Sequence, residues 1–214
     1  MTIASLDVDA QSTFTPLCPA ELPVPEGHLI ADELNAQAAL AGLRLFSKDA
    51  HCPKAKWVVA DAADMQQPLP YPDADLTWVR HAEPGTPGFE LIPGLPHPRD
   101  YDFMIYKGVE PDMHPYGACY HDLAERRSTG LIEWLTCHQV DTVLVGGLAL
   151  DFCVKTTALQ LARAGFRVLV NLAACRAISV EGESRARAEL QQAGVELVAN
   201  AAEAAQRLGS RDVR

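Results

Sequence analysis

Short runs of β-branched and aliphatic residues recur along this chain, separated by stretches too long for hairpins. That spacing limits the possible folds more than any other feature. The runs fall at residues 3–8, 43–47, 102–106, 142–145, 167–172 and 196–199. Helical spacing fills residues 28–41, 130–139, 152–164, 181–193 and 201–208. Strands that are apolar on both faces and joined by helices pair in parallel. The expected fold is therefore α/β, a doubly wound, six-stranded parallel sheet with helices on both faces. Residues 51–100 are rich in Pro and Gly with no long periodic segment, which predicts a long loop region that handles ligand. Neither an internal repeat nor a composition shift divides the 214 residues, so one domain over 1–214 is expected.

Charge and apolar patterning narrow the function classes. Lys plus Arg number 18 against 28 Asp plus Glu, a formal charge of −10, which disfavours nucleic acid and anionic membrane surfaces as partners. A small molecule is the expected partner, and homo-oligomerisation stays open. No apolar run approaches the ~20 residues of a bilayer span, and MTIASLDVDA lacks a secretory layout, so a cytoplasmic protein is expected. The six cysteines, at 18, 52, 119, 137, 153 and 175, show no CxxC and read as free thiols. Cys137 and Cys175 are read as buried packing residues.

In an open parallel sheet, ligands bind beyond the carboxyl ends of the strands, where strand order reverses. Asp9 ends the first run, Asp49 and His51 follow the second, Lys107 ends the third, and Cys153 follows the fourth across Gly146-Gly147-Leu148-Ala149-Leu150-Asp151. Cys153 falls near the first turn of a helix, where the dipole and a nearby lysine would lower a thiol pKa and free N–H groups would hold an oxyanion. Asp9 facing a thiol and an amine reads as a general base. Asp49 and His51 stand at i and i+2, on one side of an extended chain. With His81 brought back by the loop, they make a carboxylate–histidine–histidine set for a divalent cation. An ordinary loop histidine is the other reading of His81. The histidines at 28, 97, 114, 121 and 138 are assigned no role.

These motifs together resemble the nicotinamidase branch of the isochorismatase-like cysteine hydrolases. The resemblance runs in order through Val8-Asp9-Ala10-Gln11-Ser12-Thr13-Phe14, Lys48-Asp49-Ala50-His51, Trp78-Val79-Arg80-His81 with Gly85-Thr86-Pro87-Gly88, Lys107-Gly108, and Gly146 through Lys155. It implies a triad of Asp9, Lys107 and Cys153, and a cation held by Asp49, His51 and His81. Zinc is the expected metal, with iron, manganese and magnesium as alternatives. It implies further that Phe14 and Trp78 sandwich a pyridine ring. A cis Leu148–Ala149 peptide would turn the Ala149 N–H to join that of Cys153 as oxyanion donors. The implied activity is hydrolysis of nicotinamide to nicotinate and ammonia through a cysteine thioester, in NAD salvage. Another amidase or an isochorismatase-type hydrolase of the superfamily, or a non-catalytic binding protein on the same fold, are the alternatives.

The chain departs from the family pattern at several places. Cys52-Pro53-Lys54-Ala55-Lys56 stands where relatives often carry a further His or Glu ligand, so water is expected to complete the metal shell. Asp7 replaces an apolar residue and, by strand alternation, is expected on the same side as Asp9. Thr13 and Leu150 replace the commoner Asp and Thr, at positions expected to shape the mouth of the pocket.

Overall fold

The computed structural model describes residues 2–209. Six strands form one sheet: β1 (Ile3–Val8), β2 (Leu43–Asp49), β3 (Phe103–Lys107), β4 (Thr142–Leu148), β5 (Arg167–Arg176) and β6 (Glu196–Val198). Their spatial order is β6-β5-β4-β1-β2-β3, and each neighbouring pair is parallel. The chain builds outward from β1 to β2 and β3, then crosses back to β4 on the other side of β1. Strand order therefore reverses between β1 and β4, and a crevice opens there at the carboxyl ends.

Alternation along the strands divides the core between the two faces. Ala4, Leu6 and Val8 of β1 and Val143 and Val145 of β4 pack in a layer with Leu131 and Leu135 of α2 (Leu131–Cys137). The same layer takes Ala158 and Leu161 of α3 (Lys155–Arg163) and Ala186 and Leu190 of α4 (Val180–Gln192). On the opposite face lie α1 (Ala31–Ala38) and α5 (Ala201–Gly209), with Leu34 and Leu208 buried. The α4 helix starts where Ser179 accepts a 2.9 Å bond from the Gly182 amide, an N-cap that satisfies one otherwise unpaired donor. No helix among the described residues is long and apolar enough to cross a membrane.

Two features differ from the sequence expectation. β5 continues to Arg176 rather than ending near 172, because its register against β4 steps: Val145 faces Val170, but Gly147 faces Cys175. The intervening Ala173 amide turns away to bond Ala199. Asp7 and Asp9 also part company. Asp9 has a left-handed backbone (φ 45°), which ends the alternation of β1 at that residue. Its carboxylate meets Ser47 and Lys107, while Asp7 meets the Arg44 guanidinium at 2.8 Å and the Tyr101 hydroxyl at 2.8 Å.

Asp7 is fully buried, and burial raises its pKa to about 6 against the pull of Arg44 and Tyr101. Between the unfolded value of 3.8 and about 6 the folded state holds the extra proton. The contribution of Asp7 to stability is thus largest below pH ~4 and falls as pH rises toward 6. In Asp7→Asn this slope is absent, so the melting temperature of the variant relative to wild type should climb from pH 4 to pH 6.5. A difference that stays flat across that range would show that Asp7 titrates as it does in the unfolded chain.

Candidate active site

Each polar group at the crevice is delivered by the end of a strand. Asp9 follows β1, Asp49 and Lys107 end β2 and β3 directly opposite one another, and Cys153 follows β4. The path from β4 needs Gly147, whose φ is 135° and where a Cβ would lie 1.9 Å from the Val8 carbonyl oxygen. The Leu148–Ala149 peptide is cis. Cys153 then lies in a π-helical turn, Leu150–Val154, that runs directly into α3. The sequence places the start of this helix at about residue 152, close to the observed turn.

The other three groups converge on the ammonium of Lys107. Its Nζ lies 2.9 Å from Asp9 Oδ2, 2.5 Å from Asp49 Oδ1 and 3.7 Å from Cys153 Sγ, and it donates to the Pro115 carbonyl at 3.2 Å. All of this is buried: Lys107 and Asp9 are 0% exposed. Removing an ammonium from water costs several kcal/mol, and a single carboxylate would barely offset it. Two carboxylates do, and they hold the lysine well above its ordinary pKa despite burial. Burial raises the Asp49 pKa, but Lys107 and then His51 outweigh it and hold the carboxyl far below the usual range. Asp9 goes the other way. Its desolvation wins over Lys107, so its pKa is raised.

The thiol differs from the sequence expectation. Burial pushes Cys153 well above the ordinary cysteine value, and Asp9 and Asp49 add to that push, so the opposing pull of Lys107 does not prevail. The resting side chain is a neutral thiol hydrogen-bonded to Asp9. A thiolate forms here only as the proton moves to that carboxylate. Among the other cysteines, Cys175 is buried and pushed up to about 12, as a packing thiol should be. Cys137, expected to be buried, is exposed near the end of α2.

Beside this cluster lies a second one of imidazoles. His51, His81 and His114 are buried, and one ligating atom from each lies within 4.8 Å of the others. Asp49 Oδ2 is 3.4 Å from His51 Nε2, so one carboxylate touches both clusters. From sequence the acid–amine–thiol group and the cation set are expected to be separate, whereas Asp49 joins them. His81 places Nδ1 2.6 Å from the Val79 carbonyl, which fixes that nitrogen as the donor and leaves Nε2 for another partner. Burial, with His51 nearby, lowers its pKa to about 3, so it is a neutral imidazole. These orphaned donors fit a cation: His51 Nε2 and both nitrogens of His114 are buried without a hydrogen-bond partner.

His114 is the residue sequence reasoning missed. It stands seven positions beyond Lys107 in a segment without regular structure, so neither periodicity nor motif spacing marks it. The departures at 13 and 150 have local explanations. Thr13 donates to Glu21 and accepts from the Ala82 amide, and Leu150 packs in the core.

A narrow cleft opens over both clusters, with Phe14, Trp78, Ala149 and Cys153 on its walls. Trp78 is 2% exposed and is held by Phe152, edge-on at 5.0 Å, and by a 3.3 Å bond from its indole N–H to the Tyr116 hydroxyl. The cleft thus offers an apolar, aromatic slot that ends on the Cys153 thiol, with Asp49, His81 and His114 beside it, suited to a small planar molecule.

Residues 6–202 match the isochorismatase domain. The chain belongs to the isochorismatase family. Among isochorismatase-family relatives, the nicotinamidase of Escherichia coli strain K12 is 34% identical over 122 residues, 56% of this chain and 56% of that protein. The chain therefore matches a little over half the length of that curated relative. Solved structures match over more of their length. An Acinetobacter baumanii nicotinamidase/pyrazinamidase superposes with a TM-score of 0.83 at 28% identity, covering 94% of this chain and 97% of that one. The pyrazinamidase of Pyrococcus horikoshii in complex with zinc superposes at 0.71 with 28% identity, covering 92% and 99%.

Proposed function

We propose that this isochorismatase-family chain is a cysteine amidohydrolase that converts nicotinamide to nicotinate and ammonia, a step of NAD salvage. The observation that carries the reading is the buried Asp9–Lys107–Cys153 group, with Cys153 reaching the foot of an aromatic cleft. The nicotinamidase and pyrazinamidase relatives support it.

The carboxamide carbon is placed over Cys153 Sγ, with the ring between Phe14 and Trp78. Asp9 takes the thiol proton and becomes neutral as sulfur bonds to the carbon, and Lys107 stabilises the negative charge that passes through sulfur. The oxygen that becomes negative sits against the Ala149 and Cys153 N–H groups. Asp9 returns the proton to nitrogen as the C–N bond breaks, releasing ammonia and leaving a thioester. Water then attacks that carbonyl, losing a proton to Asp9. The C–S bond breaks to free nicotinate, and the proton returns to sulfur. The sulfur nucleophile divides one difficult amide cleavage into two easier displacements.

Asp49, His51 and His81 would hold a divalent cation, and their mixed carboxylate and imidazole donors suit zinc, with iron, manganese or magnesium as alternatives. When bound it would supply a Lewis-acidic contact for the pyridine nitrogen, directly or through water. The test is ammonia release from two amides. Nicotinamide should be hydrolysed, and benzamide, which lacks the ring nitrogen, should show a kcat/KM at least about tenfold lower, on the order of 1.4 kcal/mol. No ammonia from nicotinamide would remove the activity, and equal use of benzamide would remove the ring-nitrogen contact.

A further inference from the structure

We propose that His114 is a further ligand of the metal site, supplying a donor that the segment after Asp49 and His51 lacks. The proposal rests on the reading of Asp49, His51 and His81 as cation ligands and adds to it a residue that no family motif marks.

The position facing His51 across the cluster is filled by Trp57, 1% exposed, with its ring edge-on to His51 at 4.6 Å and to His114 at 4.4 Å. An indole cannot ligate here, because its one polar atom is a donor, spent on the Met113 carbonyl at 3.0 Å. That bond has a second effect: it fixes the residue immediately before His114. The His114 amide is held in turn by the Asp73 carbonyl at 2.6 Å. The His114 ring is then clamped between two planes, stacked on His51 at 4.9 Å (17°) and on Trp78 at 5.8 Å (12°).

So fixed, the ring has no protein partner for either nitrogen, although it is only 4% exposed. A buried imidazole with both nitrogens unmatched is costly unless something else meets them. His51 Nε2 also lacks a hydrogen bond, its carboxylate neighbour being Asp49 Oδ2 at 3.4 Å, and His81 Nδ1 is already committed to Val79. One ligating nitrogen from each of His51, His81 and His114, which stand on three different loops, lies within 4.8 Å of the others. Three imidazoles with one oxygen of Asp49 form a donor set of the kind zinc and cobalt accept. Trp57 then acts as a wall and positioning residue for that set.

The test is cobalt(II) binding to the metal-free full chain, followed by visible absorption and titration and scored separately from nicotinamide hydrolysis. Wild type should bind one cobalt with ligand-field bands, and His114→Ala should bind at least about tenfold more weakly with altered bands. His114→Cys covers the case in which the alanine variant does not fold. A thiolate at 114 in the coordination sphere adds a sulfur-to-cobalt charge-transfer band that wild type lacks, whereas a structural role for His114 would not produce one. Wild-type affinity and bands in folded His114→Ala, or no new band in folded His114→Cys, would overturn the proposal. Such a result would not bear on the proposed nicotinamide hydrolysis, while absence of cobalt binding by wild type would overturn the whole cation site and this proposal with it.

Discussion

Cys153→Ala should lose nicotinamide turnover by roughly 10⁴-fold or more, the scale on which a covalent enzyme falls when its nucleophile is removed. The alanine variant keeps the cleft, the Lys107 ion pairs and the oxyanion donors, so what it loses is the bond-forming atom alone. Folding should survive, because only one sulfur is removed from a site whose ion pairs remain closed without it. Wild-type enzyme quenched in the steady state should carry the acyl mass on the peptide containing Cys153, and the variant should carry none. Turnover above about one per cent of wild type would remove the thioester from the mechanism. Alkylation of another cysteine that abolished activity would redirect the assignment.

Asp9→Asn is the second large effect. The thiol of Cys153 is held neutral by burial and by the surrounding carboxylates, so sulfur becomes nucleophilic only by passing its proton to a base. An amide cannot take that proton, and kcat should fall about 10³-fold, within the range of general-base catalysis. KM should move little, because Asp9 touches Ser47, Lys107 and the thiol rather than the walls of the ring slot. Lys107 keeps Asp49 as a partner, so the variant should stay folded. A decrease of less than tenfold would show that Asp9 only positions the lysine.

Much of this was legible before any coordinates. The run at 142–145 puts aliphatic residues on both faces, and only a strand covered by helices on both sides tolerates that, which makes the sheet parallel. A parallel sheet in turn puts the ends of its strands at one rim. Asp9, Asp49, Lys107 and Cys153 each come at or just after such an end, so their neighbourhood followed from chain order. These are local signals, written in runs of a few residues and in the spacing between them.

What the chain could not reveal by itself depends on sums over distant groups. His114 joins His51 and His81 only because the segment after β3 folds back and Trp57 ties down its neighbour at Met113, a contact across 56 positions. The neutral state of the Cys153 thiol was hidden for a related reason. A helix start and a nearby lysine argue for a low pKa, but burial and two carboxylates exceed them, and burial is a property of the packed whole. Asp7 and Asp9 look equivalent under strand alternation until the left-handed backbone at Asp9 sends one carboxylate to Lys107 and leaves the other with Arg44 and Tyr101. Sequence determined the sheet and the order of groups along its rim, because those follow from local apolar patterning. Tertiary structure decided which of those groups carry protons and which orphaned imidazoles share a site, because desolvation and Coulomb energies are set by everything that surrounds a group at once.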